Sequence, residues 1–198
     1  MVTICLLRHG ETAYNADGNR YCGRTDIELT PKGISQAKRM TELLEDYVFD
    51  AVFSSPLKRA KDTAMIASGF REDIIIDDRL IEVDFGEWEG RRSEEFQVDD
   101  AESWNNWLGD PENNKAGSTG ETAYEVVQRL DSFYKELMDK YAGKTVLIVG
   151  HNGLNRFFMA SQLGMPLKNY RKIVQENSAL TLLTLSKHSG ITLLKLNA

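Results

Sequence analysis

Four places in the chain hold residue types that together suit chemistry on a phosphate: Arg8-His9-Gly10-Glu11-Thr12, Arg59, Glu82 and Gly150-His151-Asn152-Gly153. A neutral imidazole is a competent nucleophile towards phosphorus, and a guanidinium presents donors in a planar fork that matches two phosphate oxygens. One of the two imidazoles, His9 or His151, can then attack, while Arg8, Arg59 and the other histidine neutralise the charge that spreads over the equatorial oxygens. The leaving oxygen needs a proton. Glu82 is placed to supply it if burial or the phosphate's own charge keeps it protonated near neutral pH, with Asp84 and Glu87 as alternatives. The glycine after His9 lets the backbone come close to an anion. Singly, each residue has an ordinary explanation: a histidine at a strand end is usually scaffold, and an arginine in a first helical turn is usually solvated. Two of the three histidines in the chain sit beside a glycine at a strand end, which weighs against coincidence.

The elements that must position these residues are readable from hydrophobic periodicity. Val2 to Leu7 is a continuous β-branched-rich run, the pattern of a strand buried on both faces. Thr30-Pro31 reads as a helix cap followed by proline at the first helical position, opening a helix to about Asp46. Ala51 to Ser54 is a second strand, and Ser55-Pro56 reads as another cap-plus-proline start, for a helix that stops near Gly69. Ile74 to Ile76 is a third strand. Residues 86–117 lose clear periodicity and hold all three tryptophans, so they read as an insertion packed over the sheet. Ser118 with Glu121 fits a capping box before a helix striped by Val126, Leu130, Phe133 and Leu137. Thr145 to Val149 is a fourth strand, followed by a helix from about Leu154 to Leu163. Ala179 to Leu185 and Ile191 to Leu196 form a terminal hairpin. Strands alternating with helices predict a single α/β domain, a three-layer sandwich whose mostly parallel sheet is flanked by helices. In such sheets ligands bind beyond the carboxyl ends of the strands, where His9, Arg59, Glu82 and His151 all fall.

Composition narrows the remaining possibilities. The net charge of −6 opposes a nucleic-acid partner. No apolar run approaches the roughly 20 residues that span a bilayer, and no leader pattern is visible, so a cytoplasmic protein with no membrane partner is expected. Cys5 and Cys22 are too few for a disulfide framework. Neither cysteine is followed six positions later by arginine, and no Asp-x-Asp occurs, so the cysteine and aspartate phosphatase loops are absent. Gly143-Lys144-Thr145 precedes a strand, the wrong context for a nucleotide loop. The histidines lack metal-ligand spacing, so neither a metal nor any other cofactor is expected.

Leu6-Leu7-Arg8-His9-Gly10-Glu11-Thr12, with Asn15 three residues on, resembles the signature of the histidine phosphatase superfamily, which includes cofactor-dependent phosphoglycerate mutases and many small-molecule phosphatases. The likeness continues through Ser54-Ser55-Pro56-Leu57-x-Arg59-Ala60, Glu82-x-x-Phe85-Gly86-x-Trp88-Glu89-Gly90, Gly120-Glu121-Thr122 and Gly150-His151-Asn152-Gly153, covering about the first 155 residues. It implies a phosphohistidine at His9, a phosphoryl group held by Arg8, Asn15, Arg59 and His151 with Asn152 beside it, Glu82 as acid and then base, and Thr25 near the rest of the substrate. The insertion at 86–117 is then the lid that selects a small phosphomonoester.

The continuation Glu82-Val83-Asp84-Phe85-Gly86 is more similar to the phosphatase branch, with its α-ribazole phosphatase-like and broad-specificity members, than to the mutases. Arg91-Arg92 keeps a bisphosphoglycerate-dependent mutase as the alternative, since paired arginines there can take a phosphoglycerate carboxylate. The insertion is otherwise acidic, with Glu87, Glu89, Glu94, Glu95, Asp99, Asp100, Glu102 and Asp110, and is expected to repel a polyanion. A non-catalytic module that binds a phosphorylated ligand is the third reading.

Overall fold

In the computed structural model, which describes residues 1–198, six strands form one sheet: β1 (Val2–Arg8), β2 (Ala51–Ser54), β3 (Ile75–Ile76), β4 (Thr145–Gly150), β5 (Leu180–Ser186) and β6 (Gly190–Lys195). The helices are α1 (Ala13–Ala16), α2 (Pro31–Leu43), α3 (Lys58–Ala67), α4 (Ser93–Asp99), α5 (Ala101–Gly109), α6 (Ala123–Lys140) and α7 (Asn152–Gln162). The strand order is β3-β2-β4-β1-β5-β6. The first four run parallel, and β5 and β6 add an antiparallel hairpin on one side.

Alternation along the strands decides the layering, because successive side chains point to opposite faces of a sheet. Ile4, Leu6, Phe53, Val146 and Ile148 enter one core, closed by Val126, Leu130, Phe133 and Leu137 of α6 and Phe157 and Phe158 of α7. Cys5, Leu7, Val52, Leu147 and Val149 enter the other, closed by Met40 of α2 and Ala60, Ala64 and Ala67 of α3. The sheet is thus the middle of three layers. β1 lies between β4 and β5 and is buried on both faces, which is why its sequence is a continuous apolar run.

Thr30 caps α2 as expected, accepting from the Gly33 amide with Pro31 at the first position. Two other expected caps are replaced. α3 begins at Lys58 after an uncapped Leu57, and the Ser55 hydroxyl accepts from the Leu57 amide at 3.3 Å while it also meets the His151 ring at 2.7 Å. α6 is capped by Thr122 in a box with Glu125. Ser118 instead has a positive φ of 60°, and Glu121 is bound to Arg129.

Residues 86–117 are not irregular. They form a 3₁₀ turn at Gly86–Trp88 followed by α4 and α5. Phe96 stacks on Trp88 at 4.8 Å, and Trp107 meets Phe157 of α7 edge-on at 6.0 Å. Trp88, Phe96, Trp104 and Trp107 all belong to the first core. Such short helices are held by single aromatic anchors rather than by a repeating stripe, so periodicity does not reveal them. No helix is long and apolar enough to cross a membrane.

Candidate active site

β1 and β4 are paired with Arg8 level with Gly150, and the residues just beyond them are therefore neighbours. The His9 amide donates to the Gly150 carbonyl at 3.1 Å, and the rings of His9 and His151 lie 5.2 Å apart. His9 Nδ1 is 2.7 Å from the Gly10 carbonyl. A carbonyl can only accept, so Nδ1 carries the proton and Nε2 keeps its lone pair. Burial, then the charges of Arg59 and Arg8, hold the His9 pKa well below the usual histidine value. The same causes, burial first and Arg59 next, act on His151. His151 has no exposure, contacts Ser55 through Nε2 and leaves Nδ1 buried without a partner.

Gly10 has a different role from the one its position suggests. A Cβ there would stand 2.5 Å from the Gly33 carbonyl oxygen, and one on Gly33 would stand 2.2 Å from that of Glu11. The two glycines let the first turn of α2 seat against the catalytic loop, and Gly10 does not line the cavity described below.

Arg59, wholly buried at the start of α3, donates to the Thr25 and Gly23 carbonyls at 2.8 and 2.7 Å. Arg8 donates to the Gln175 carbonyl at 2.9 Å, and burial lowers its pKa to about 10, still charged at neutral pH. The Nε atoms of both arginines are buried and unpartnered. Buried donors without acceptors are costly and seldom left in a fold that has no use for them. Asn15 Oδ1 accepts from the Thr12 amide and from Asn177 Nδ2, which leaves its amino group for the cavity. Asn152 lines the cavity at the N-terminus of α7.

Glu82 is 5% exposed and accepts three backbone bonds: Val83 and Leu154 amides at 2.9 and 2.8 Å on Oε1, and the Gly153 amide at 3.0 Å on Oε2. Two of these come from the first turn of α7, whose amides have no partner within the helix. Gly153 permits the approach, since a Cβ there would lie 2.9 Å from Oε1. Arg129 of α6 fixes the segment by donating to the Arg79, Ile81 and Glu82 carbonyls. Asp84 pairs with Arg24, Glu87 is exposed, and neither lines the cavity.

His9, Arg8, Asn15, Arg59, Glu82 and Asn152 line one cavity of about 460 Å³, a size suited to a small metabolite. Five arginines line it (Arg8, Arg20, Arg59, Arg156, Arg171) against two glutamates, Glu82 and Glu94. Thr25 is outside: its hydroxyl and amide bind Glu89 while its carbonyl holds Arg59. Arg91 and Arg92 are also outside, bound to Asp99 and Asp17. Of the nine acids in the insertion only Glu94 faces the cavity. The wall is cationic, and the expectation of a polyanion-repelling cover fails because the charges of the insertion point elsewhere. Sequence reasoning missed Arg156, Arg171, Gln175 and Asn177. Asn177 reaches the His9 carbonyl at 3.0 Å from the loop before β5, and only the β1–β5 pairing makes that contact foreseeable.

Comparison with known proteins agrees with this geometry along the whole chain. Residues 4–198 match the family model of the histidine phosphatase superfamily (branch 1). The chain is 31% identical to phosphoserine phosphatase 1 of Hydrogenobacter thermophilus over 100% of its own length and 92% of the relative's. It is 35% identical to the adenosylcobalamin/α-ribazole phosphatase of Escherichia coli, over 82% and 80%. Among solved structures, phosphoserine phosphatase of Entamoeba histolytica in complex with 3-phosphoglyceric acid superposes with a TM-score of 0.90 at 30% identity, covering 100% of this chain and 98% of that one. With the signature residues placed around one cationic cavity and relatives that are phosphatases at full length, the chain belongs to the histidine phosphatase superfamily.

Proposed function

We propose that this phosphatase hydrolyses small phosphomonoesters through a phosphohistidine at His9. The observation that carries the assignment is the orientation of His9: Nδ1 is fixed on the Gly10 carbonyl, so the Nε2 lone pair is the free nucleophile of a cavity whose buried Arg8 and Arg59 Nε atoms lack partners. In the first half-reaction Nε2 attacks phosphorus and the P–O bond to the alcohol breaks. The leaving oxygen takes a proton from Glu82. In the second half, Glu82 accepts a proton from water, which attacks phosphorus and returns the electron pair to Nε2. Arg8, Arg59, Asn15, Asn152 and His151 Nδ1 surround the transferred oxygens. Thr25 acts through its carbonyl, as a positioning residue for Arg59.

The relatives, a phosphoserine phosphatase and an adenosylcobalamin/α-ribazole phosphatase, support a small-molecule phosphomonoester as substrate. The mutase alternative loses its motive, because Arg91 and Arg92 are bound to acids away from the cavity. Segment 86–117 serves as a cover rooted in the core, offering Ser93 and Glu94 to the substrate side. The guanidinium groups supply the positive charge that a divalent ion supplies elsewhere, and the neutral His151 adds a donor, so turnover needs no metal. The test is a brief reaction with ³²P-labelled ester followed by an alkaline quench. Acid-labile label on the protein, absent from His9→Ala, is the expected result, and label retained in that variant refutes the assignment.

A further inference from the structure

We infer that the outer part of the cavity is a second anion subsite, in which Arg156 and Arg171 take a carboxylate on the carbon skeleton of the substrate; this deepens, and rests on, the phosphatase reading above. The first argument is where ion pairs are missing. The chain has twelve arginines and a net charge of −6, and seven of them are paired with Asp or Glu: Arg20, Arg24, Arg71, Arg79, Arg91, Arg92 and Arg129. Of the five left over, Arg39 is exposed on α2, and the other four, Arg8, Arg59, Arg156 and Arg171, line this one cavity. Arg8 and Arg59 serve the phosphoryl group. Arg156 and Arg171 have no corresponding acid, in a chain where acids outnumber bases.

The second argument is preorganisation. Arg156 stands four residues after Asn152 on the same face of α7, one turn or about 5.4 Å beyond the phosphoryl end of the cavity. Its guanidinium lies over the Tyr170 ring at 5.2 Å, and Nε donates to the Tyr170 carbonyl, leaving both terminal amino groups without a protein acceptor. Arg171 lies over Trp104 at 4.8 Å and is held by the Tyr21 hydroxyl at 2.8 Å. A guanidinium with one face stacked on a ring offers its donors in its own plane, the arrangement that matches a planar carboxylate. The inner site, by contrast, surrounds a tetrahedral group with two arginines, a histidine and the N-terminal residues of a helix. No helix N-terminus or histidine accompanies the outer pair, so a carboxylate and not a second phosphate is the group it fits.

The experiment uses the purified full chain and compares kcat/KM for esters that differ only in the second group: 3-phosphoglycerate against glycerol 3-phosphate, and O-phosphoserine against O-phosphoethanolamine. A bisphosphorylated propanediol against its monophosphate provides the phosphate arm. The carboxylated member of each pair is expected to be preferred by about tenfold to a hundredfold, mostly through KM, as charge-assisted bonds of this kind confer. In Arg156→Gln and Arg171→Gln the ratio within each pair falls towards one, and any general damage affects both members and cancels. Arg171→Lys keeps the charge without the fork and retains part of the preference. Pairs turned over equally by the wild type, or a ratio unchanged in both variants, overturn the subsite, while preference for the bisphosphate alone overturns its assignment to a carboxylate. Failure to hydrolyse any ester, p-nitrophenyl phosphate included, would instead strike at the phosphatase reading itself.

Discussion

Replacing Glu82 by Gln separates proton donation from everything else that side chain does. The carboxylate accepts two amides on Oε1 and one on Oε2. A glutamine keeps most of these by leaving its carbonyl at the Oε1 position, which turns its amino group against the Gly153 N–H, donor facing donor. One charge-assisted bond is lost, a cost of about 1.5 to 3 kcal/mol, and for a domain of this size that lowers Tm by about 3 to 12 °C. The variant therefore remains folded at 25 °C but is measurably weakened. Its chemistry should be hit selectively. An alkyl phosphate, whose alkoxide cannot leave unprotonated, should lose about 10² to 10⁴-fold in kcat/KM, whereas p-nitrophenyl phosphate, whose leaving group hardly needs a proton, should lose far less. Steady-state kinetics on both esters at a temperature well below the variant's Tm measure the difference. Equal losses on the two esters would refute the acid role and leave Glu82 as a structural cap of α7.

Activity should survive excess EDTA, and a loss restored by one particular divalent ion would contradict the charge assignment made for the arginines. Acid stability should reflect the two buried histidines. Both are held below the unfolded value of about 6.5, so below that pH the unfolded chain takes up protons that the native one refuses. Their share of stability is therefore intact above pH 6.5 and lost on acidification, by at most about 2.7 kcal/mol per pH unit. Urea midpoints from pH 7 to 5 should fall less steeply for a His9→Gln/His151→Gln variant, and parallel slopes would show the histidines to be uninvolved. Gly33→Ala forces a Cβ to within 2.2 Å of the Glu11 carbonyl oxygen, where backbone must move, and should cost at least about 1 to 3 kcal/mol; an unchanged urea midpoint would disprove the close approach.

The inner half of the site was legible because its residues follow directly from strand ends. Once Val2 to Leu7 and Thr145 to Val149 are read as buried neighbours, His9 and His151 must meet, and periodicity alone supports both strands. The caps misled because a serine before a proline or three before a glutamate is a local signal: the Ser55 hydroxyl does bind a backbone amide, that of Leu57, but Leu57 is still extended and the helix opens only at Lys58. Thr25, expected near the rest of the substrate, stands outside the cavity and reaches the site only through its carbonyl, which holds Arg59. The outer wall was illegible for a different reason. Arg156 and Arg171 occupy unremarked positions in a helix and a 3₁₀ turn, and their lack of acidic partners becomes visible only when every other arginine has been paired in three dimensions. Summing the acids of segment 86–117 pointed the wrong way because charge counted along a sequence says nothing of which side of a helix it occupies.

The place of β1 in the sheet has a consequence for how the protein is made. Of the six strands it is made first, and it must wait for both neighbours, because its partners are β4, starting at Thr145, and β5, starting at Leu180. At ordinary rates of elongation the run from Val2 to Leu7, with the nucleophile just beyond it, waits roughly 10 to 35 s for the residues that flank it. An apolar strand with both edges open for that long is a site for mispairing with other nascent chains. The same delay means that the phosphate pocket is not complete until the segment before β5 has been made, since that segment supplies Asn177 and the Gln175 carbonyl. A nascent or truncated chain that stops short of β5 should therefore neither bind phosphate nor carry label on His9, and would depend on chaperones that shield extended apolar segments.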